Sequence, residues 1–381
     1  MNEPQPLLFP ETKPLKILLS AYTGLGNFVL KTPAIQQLNA ALPLGSSIDL
    51  IGGNTYGSDY VLRGSPLIGQ THLLKPTASW PKKVAFFAGL RKYKYDVILL
   101  PFDAQPNFLL YGSYIAGISH RLLHQKPPFT HRRYPLPASV CLPVALDRHE
   151  IDLNFDLFQL LFRSPAKLIR HYNTIVKYET DTTTLTRFGL EPQKYIVLQP
   201  GAANGNYRAK VWPTERFAAL INQLAPIYDE KIVLVGDQGD RKHSIEPLLP
   251  HIQPNHNAQK VIDTAGKTDF NTLINILANA TLVVCHDSGI MHLSDALATP
   301  LIALYGPTDT LRTGPLKASS EVLYSETPYK HITAQFAYSE AELEPLGHAP
   351  MEGLYVNDVL AAIVRRMKGH EKNKDTATSK I

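Results

Sequence analysis

Thr281-Leu282-Val283-Val284-Cys285-His286-Asp287-Ser288-Gly289-Ile290-Met291-His292 is the stretch that decides the fold. Residues 281–285 read as a short strand with a continuous apolar run, the pattern of a strand covered on both faces. The chain turns at His286-Asp287-Ser288-Gly289 and enters a helix predicted over 288–297. A buried strand running straight into a helix is the building unit of a doubly wound α/β sheet. The unit recurs on both sides. Tyr195–Gln199 is a strand ending in Pro200-Gly201-Ala202, followed by a helix predicted over 214–225. Lys231–Val235 is a strand ending in Gly236-Asp237, and a helix follows over 269–280. Leu301–Tyr305 ends in Gly306-Pro307-Thr308. In such sheets a ligand lies beyond the carboxyl ends of the strands, where the polar residues of this half fall.

The first half repeats the theme less cleanly. Lys16–Ser20 precedes a glycine turn, Thr23-Gly24-Leu25-Gly26-Asn27, and then a helical pattern of Val29, Leu30, Ile35, Leu38 and Leu42. Pro33 either kinks this helix or starts a new one capped by Thr32. Strands are predicted at 47–52 and 96–100, with Asp103 just past the second, and helices at 109–118 and 152–164. The chain therefore reads as two doubly wound halves. The glycine turn is not a dinucleotide fingerprint, because Val29 stands where the third glycine belongs. An NAD-dependent oxidoreductase is disfavoured on that ground, and a tight turn without a ligand explains Gly24 and Gly26 equally well.

Composition bounds the rest. At about 100–200 residues per domain, 381 residues make two or three domains. An apolar content of 44% with 19% charged residues excludes global disorder. Thirty-eight basic and 33 acidic residues give +5, too weak to argue for nucleic acid but compatible with an anionic ligand or an anionic membrane face. Two cysteines, Cys141 and Cys285, exclude a disulfide scaffold and a cysteine-built zinc site. No apolar run is long enough for a transmembrane helix, and the N-terminus lacks a signal-peptide pattern. A soluble cytoplasmic protein is expected. Residues 124–150 are rich in proline and basic side chains and read as a surface excursion. Within it, residues 124–135 are expected to touch an anionic membrane surface.

The strand ends carry the chemistry. Ser288 and Gly289 would offer backbone N–H groups at the positive end of a helix, a place suited to a diphosphate. Gly289 lets a phosphate approach closely, and His292 lies about one turn further on. The competing reading makes Asp287 or Ser288 a helix cap and His292 a core residue. Arg208 and Lys210, beside Gly201 and Ala202, can neutralise phosphate charge or form an exposed basic loop. Asp237 and Asp240 can accept hydrogen bonds from ribose or sugar hydroxyls, or cap a helix. No D-x-D occurs, so the diphosphate charge falls to the helix terminus, Lys210 and Arg208. No H-E-x-x-H or close His/Cys cluster occurs, and no metal site is expected.

Taken together and in order, these segments resemble the family-9 glycosyltransferases, the group that contains the lipopolysaccharide heptosyltransferases. The matching pieces are Gly24-Leu25-Gly26-Asn27 with Thr32-Pro33-Ala34; Tyr95–Ile98 running to Asp103-Ala104-Gln105; Pro200-Gly201-Ala202 with Lys210-x-Trp212-Pro213; Val235-Gly236; Asp287-Ser288-Gly289-x-x-His292-Leu293; and Leu304–Asp309. The resemblance implies a GT-B architecture, two Rossmann-like doubly wound domains facing a cleft. Its domains would be 1–175 for the acceptor and 176–348 for the nucleotide sugar. A helix in 349–368 would cross back to the first domain, before a disordered tail at 369–381. It implies inverting, metal-independent transfer of a sugar, heptose from ADP-heptose, to a glycolipid or other glycan, with no cofactor. Donor contacts would come from Gly201, Ala202, Arg208, Lys210, Trp212, Gly236, Asp237, Asp287, Ser288, Gly289 and His292. Acceptor contacts would come from Gly24, Gly26, Asn27 and Gln105. One departure matters: well-known members carry an aspartate, thought to be the general base, where this chain has Asn27. An amide cannot take a proton from a hydroxyl at neutral pH. Asp103 is the substitute candidate, with Asn27 holding the acceptor. Two other functions stay open, a catalytically idle nucleotide-sugar binder and a GT-B epimerase.

Overall fold

The computed structural model describes residues 9–10, 12–53, 57–104, 106–125, 140–145, 147–164, 167–202, 208–254, 259–330 and 343–378, with side chains to residue 368. Gln105 and most of the proline- and base-rich excursion lie outside the described residues. The chain divides into two compact units, Met1–Lys177 and Tyr178–Ile381.

The first unit holds β1 (Lys16–Ser20), β2 (Ser47–Gly52), β3 (Thr71–Leu73), β4 (Val97–Leu100), β5 (His120–Gln125) and β6 (Val140–Pro143). They pair in the order β3-β2-β1-β4-β5-β6, all parallel. The second unit holds β7 (Tyr195–Leu198), β8 (Lys231–Leu234), β9 (Val261–Asp263), β10 (Leu282–His286), β11 (Leu301–Tyr305) and β12 (Ser320–Tyr324). Their order is β12-β11-β10-β7-β8-β9, again all parallel. Counted within its own unit, each sheet runs 3-2-1-4-5-6, the Rossmann order. Two such domains in one chain are the GT-B architecture. The strand order reverses between β1 and β4 in one unit and between β7 and β10 in the other. Loops leave opposite faces of the sheet there, and a crevice opens at the strand ends.

The central strands are apolar because both their faces are covered. Leu18 pairs with Ile98, Leu198 pairs with Val284, and all four are wholly buried. Among the described residues the helices covering the sheets include α1 (Leu25–Val29), α2 (Thr32–Ala41), α3 (Trp80–Leu90), α4 (Asn107–Ile115), α5 (Glu150–Gln159), α6 (Thr214–Leu224), α7 (Phe270–Ala278), α8 (Gly289–Ala296) and α9 (Val356–Thr378). The break between α1 and α2 settles the question raised by Pro33. It sits at the start of α2, where a missing N–H costs nothing. Thr32 is the first residue of that helix rather than its cap, and its hydroxyl donates to the Val29 carbonyl at 2.7 Å.

Of the stripe expected in the C-terminal helix, Val356, Val359, Leu360 and Ile363, the residues Val359 and Ile363 are buried with Ala362 and Met367 beside Phe217, Leu220 and Ile232 in the core of the second unit, and Val356 and Leu360 pack against it. The Trp212 indole N–H donates to the Leu354 carbonyl at 2.9 Å and fixes the helix entry. The backbone stays helical to Thr378, where a disordered tail was expected from residue 369. No proline interrupts that stretch.

Candidate functional site

Each unit gathers its polar residues at its own point of strand-order reversal. In the second unit, β10 delivers His286, and Asp287 and Ser288 follow into α8. Ser288 occupies the N-cap position with an extended backbone, yet its side chain bonds to no N–H of the helix. Its Oγ donates instead to Gln199 Oε1 at 2.6 Å, at the end of neighbouring β7. Asp287 also faces away from the helix. Its Oδ2 accepts from Lys210 Nζ at 2.8 Å and its Oδ1 from the Tyr305 hydroxyl at 3.4 Å. Neither side chain therefore caps the helix, and among the described residues no side chain closes the first-turn N–H groups of α8. They keep their partial positive charge for an anion.

Burial alone would raise the Asp287 carboxyl. The Lys210 ammonium, nearby His292 and hydrogen bonds from Lys210 and Thr308 outweigh burial and hold it below its ordinary value. Asp287 is ionised at neutral pH, and Lys210 is held at the mouth with its side chain 22% exposed. A cation fixed by a carboxylate and still open to solvent is preorganised for phosphate.

His286 is wholly buried and ties three segments together. The Trp212 N–H donates to its Nε2 at 2.9 Å, and its Nδ1 lies 3.1 Å from the Gly201 carbonyl. One neutral tautomer, protonated on Nδ1, satisfies both contacts. Burial pushes its pKa down to about 4. His124, on β5 of the first unit, is likewise pushed down to about 4 by burial. An unfolded chain takes up these two protons near pH 6.5, whereas the folded chain resists them to about pH 4. Stability therefore falls as pH drops across that window, by about 2–3 kcal/mol per histidine at pH 4.5. Asp103 and Asp287 have lowered values, so their stabilising share is lost only below about pH 4, outside that window. Denaturant unfolding at pH 7 and pH 4.5 checks this, with His286→Gln removing one histidine's share of the difference. A pH-independent unfolding free energy would contradict it.

The other residues expected at the donor fall in different surroundings. Trp212 is wholly buried in the core, edge-on to Phe217. Asp237 and Asp240 form a reciprocal capping box, so the capping reading is the correct one for them. A Cβ on Gly201 would stand 2.3 Å from Asp240 Oδ1, and one on Gly236 would stand 2.6 Å from Asp240 Cβ. Those glycines make room for a buried aspartate. Asp240 is buried, while Asp237 is exposed. Arg208 is exposed, Ala202 and His292 are buried, and Gly289 opens α8.

In the first unit Asp103 lies beyond β4 and reaches the glycine turn after β1. Its Oδ2 accepts from the Thr23 hydroxyl at 2.5 Å and from the Lys31 ammonium. Lys31 also donates to the Asn27 carbonyl at 3.1 Å, and its side chain is 1% exposed. Burial would raise the Asp103 carboxyl, but the Lys31 charge and the hydrogen bonds from Lys31 and Thr23 hold it low. Asp103 Oδ1 is buried and has no hydrogen-bond partner among the described residues. Asn27 is half-buried, and a Cβ on Gly24 would meet nothing within 4 Å, so that glycine borders open space.

Sequence reasoning missed Lys31, Thr23, Gln199, His286 and Tyr305. Lys31 left a legible signal: a lysine inside the run Phe28-Val29-Leu30-Lys31-Thr32-Pro33-Ala34-Ile35 must find a partner if that face is buried. Tyr305 is the polar end of an otherwise apolar strand.

Comparison with known proteins agrees with this geometry. Residues 130–340 match the family model described as glycosyltransferase family 9 (heptosyltransferase). Lipooligosaccharide heptosyltransferase 2 of Haemophilus influenzae is 27% identical over 327 residues, covering 81% of this chain and 88% of that protein. Lipopolysaccharide heptosyltransferase 2 of Escherichia coli is 28% identical over 257 residues, covering 64% of this chain and 69% of that protein. Among solved structures, E. coli ADP-heptose LPS heptosyltransferase II superimposes with a TM-score of 0.69 at 21% identity, covering 87% and 97% of the two chains. A family-9 glycosyltransferase of Veillonella parvula gives 0.71 at 18% identity, covering 93% and 98%. The chain belongs to glycosyltransferase family 9, the heptosyltransferase family.

Proposed function

We propose that this enzyme transfers heptose from ADP-heptose to a hydroxyl of a lipopolysaccharide-type glycolipid, with inversion and without a metal ion. The observation that carries the reading is the Lys210–Asp287 pair beside the uncapped N-terminus of α8. The second unit holds the donor, with its diphosphate on the Ser288–Gly289 end of α8 and on Lys210. The acceptor oxygen forms its bond to the anomeric carbon as the bond to the diphosphate breaks from the opposite face. The departing nucleoside diphosphate gains negative charge, which the helix terminus and Lys210 stabilise. Such fixed electrostatics usually supply the largest share of catalysis. The first unit holds the acceptor near Gly24, Gly26 and Asn27, and the hydroxyl proton passes to Asp103, the carboxylate nearest the turn.

A thermal-shift panel of ADP-heptose, ADP, UDP-glucose and GDP-mannose, in excess chelator, tests the donor half. Ligand at about a hundred times its Kd stabilises the fold by about 2.7 kcal/mol, a rise of several degrees for a domain of this size. The shift is expected for ADP-heptose and ADP, and Lys210→Ala is expected to abolish most of it. A shift from UDP-glucose alone, or an unchanged shift in Lys210→Ala, contradicts the assignment.

A further inference from the structure

α3 is built unlike a surface helix. In Trp80-Pro81-Lys82-Lys83-Val84-Ala85-Phe86-Phe87-Ala88-Gly89-Leu90 the only charged side chains are two lysines. Phe87 and Leu90 face inward and pack with Phe108 and Leu109 of α4. The rest of the helix should then be polar. Beside the buried stripe it instead exposes a row of Trp80, Val84 and Ala88, spaced four residues apart, Trp80 at 57%. α4 lies alongside and adds two exposed tyrosines: Tyr111 meets Trp80 edge-on at 6.4 Å, and Tyr114 is stacked by the Arg121 guanidinium at 3.5 Å.

The charge around this ridge has one sign. Between Asp59 and Asp96 the chain carries seven lysines and arginines and no acid. Lys82, Arg91, Lys92 and Lys94 are exposed, Lys83 lies 5.5 Å from the Trp80 ring, and Arg91 Nε donates to Ile115 at the end of α4. Exposed indole and phenol rings fringed by cations, with no carboxylate among them, match the interface of an anionic bilayer. The rings settle at headgroup depth, and each cation gains from the negative surface potential.

We infer that the α3–α4 face of the first unit docks the enzyme on an anionic lipid surface through Trp80, Val84 and Tyr111, with the lysines of α3 and the turn after it as electrostatic anchors. This deepens the acceptor half of the proposed function and rests on it, since a lipid-linked acceptor is presented at such a surface. Residues 124–135, where the sequence also suggested a membrane contact, lie mostly outside the described residues.

The protein contains two tryptophans, and Trp212 is wholly buried, so Trp80 is the reporter. Vesicles of phosphatidylcholine with about 30% phosphatidylglycerol are expected to shift the emission to the blue and to sediment the protein in about 0.1 M salt, whereas pure phosphatidylcholine does neither. Raising the salt to about 0.5 M releases it. Trp80→Phe is expected to lose the shift and still sediment. Lys82→Gln with Lys92→Gln, and separately Trp80→Ser with Val84→Ser, are each expected to weaken vesicle binding by roughly tenfold or more. Both pairs should leave transfer to a delipidated acceptor unchanged. Equal binding to neutral vesicles, an unshifted Trp80, variants that bind like the parent, or a single-stranded RNA that binds this face better than vesicles would each overturn the inference. The assay needs neither donor nor acceptor, so its failure is separable from failure of the transfer reading.

Discussion

Asp287→Asn lowers turnover by about a hundred- to a thousandfold and leaves the second unit folded. The amide keeps the shape of the carboxylate and keeps an acceptor for Tyr305, but it no longer fixes the Lys210 ammonium. A cation that must find its place during the reaction stabilises the departing diphosphate less than one already held there. The stability cost stays at about 1–3 kcal/mol, below that of a fully enclosed pair, because Lys210 can turn its ammonium to water. Single-turnover kinetics with ADP-heptose, beside denaturant unfolding, reads both quantities. Wild-type turnover in this variant rejects the donor site.

The same change at Asp103 has a different balance. Lys31 is 1% exposed and cannot reach water, so Asp103→Asn strands a buried cation and costs about 3–5 kcal/mol. Turnover falls as well, by about a hundred- to ten-thousandfold, if the carboxylate takes the proton. Removing both partners separates the two effects. Lys31→Met with Asp103→Leu replaces the ion pair by apolar side chains, which is often neutral for stability. The double variant is expected to regain the stability and to stay inactive. Recovery of turnover together with stability would make Asp103 a structural residue and reject it as the base. Asn27→Ala is expected to cost less turnover than Asp103→Asn, because an amide at that position only holds the acceptor.

The sequence was most legible where physics leaves one solution. β1, β4, β7, β10 and β11 are continuous apolar runs, and both covered faces demand that pattern. Thr71–Leu73 and Val261–Asp263 are three-residue edge strands, and His120–Gln125 mixes charge with leucine, so none of them carries a period to read. α3 was missed because its apolar residues occupy both faces, and no amphipathic stripe stands out. At the site, the Asp287-Ser288-Gly289 turn and Lys210 were visible as chemistry after a buried strand. What pairs with what was not. Thr23, Lys31 and Asp103 are joined across about 80 residues by the pairing of β1 with β4. Asp240 fills the space beside Gly201 only because β7 and β8 lie side by side. His286 connects Gly201 to Trp212 for the same kind of reason, and no local pattern encodes such contacts.

A structure of the protein with a non-transferable ADP-heptose analogue, formed in excess chelator, tests the central claim most directly. The diphosphate oxygens are predicted to lie about 3 Å from the Gly289 N–H and from Lys210 Nζ. A diphosphate seated elsewhere, or one that binds only when a divalent cation bridges it to the protein, would contradict the account.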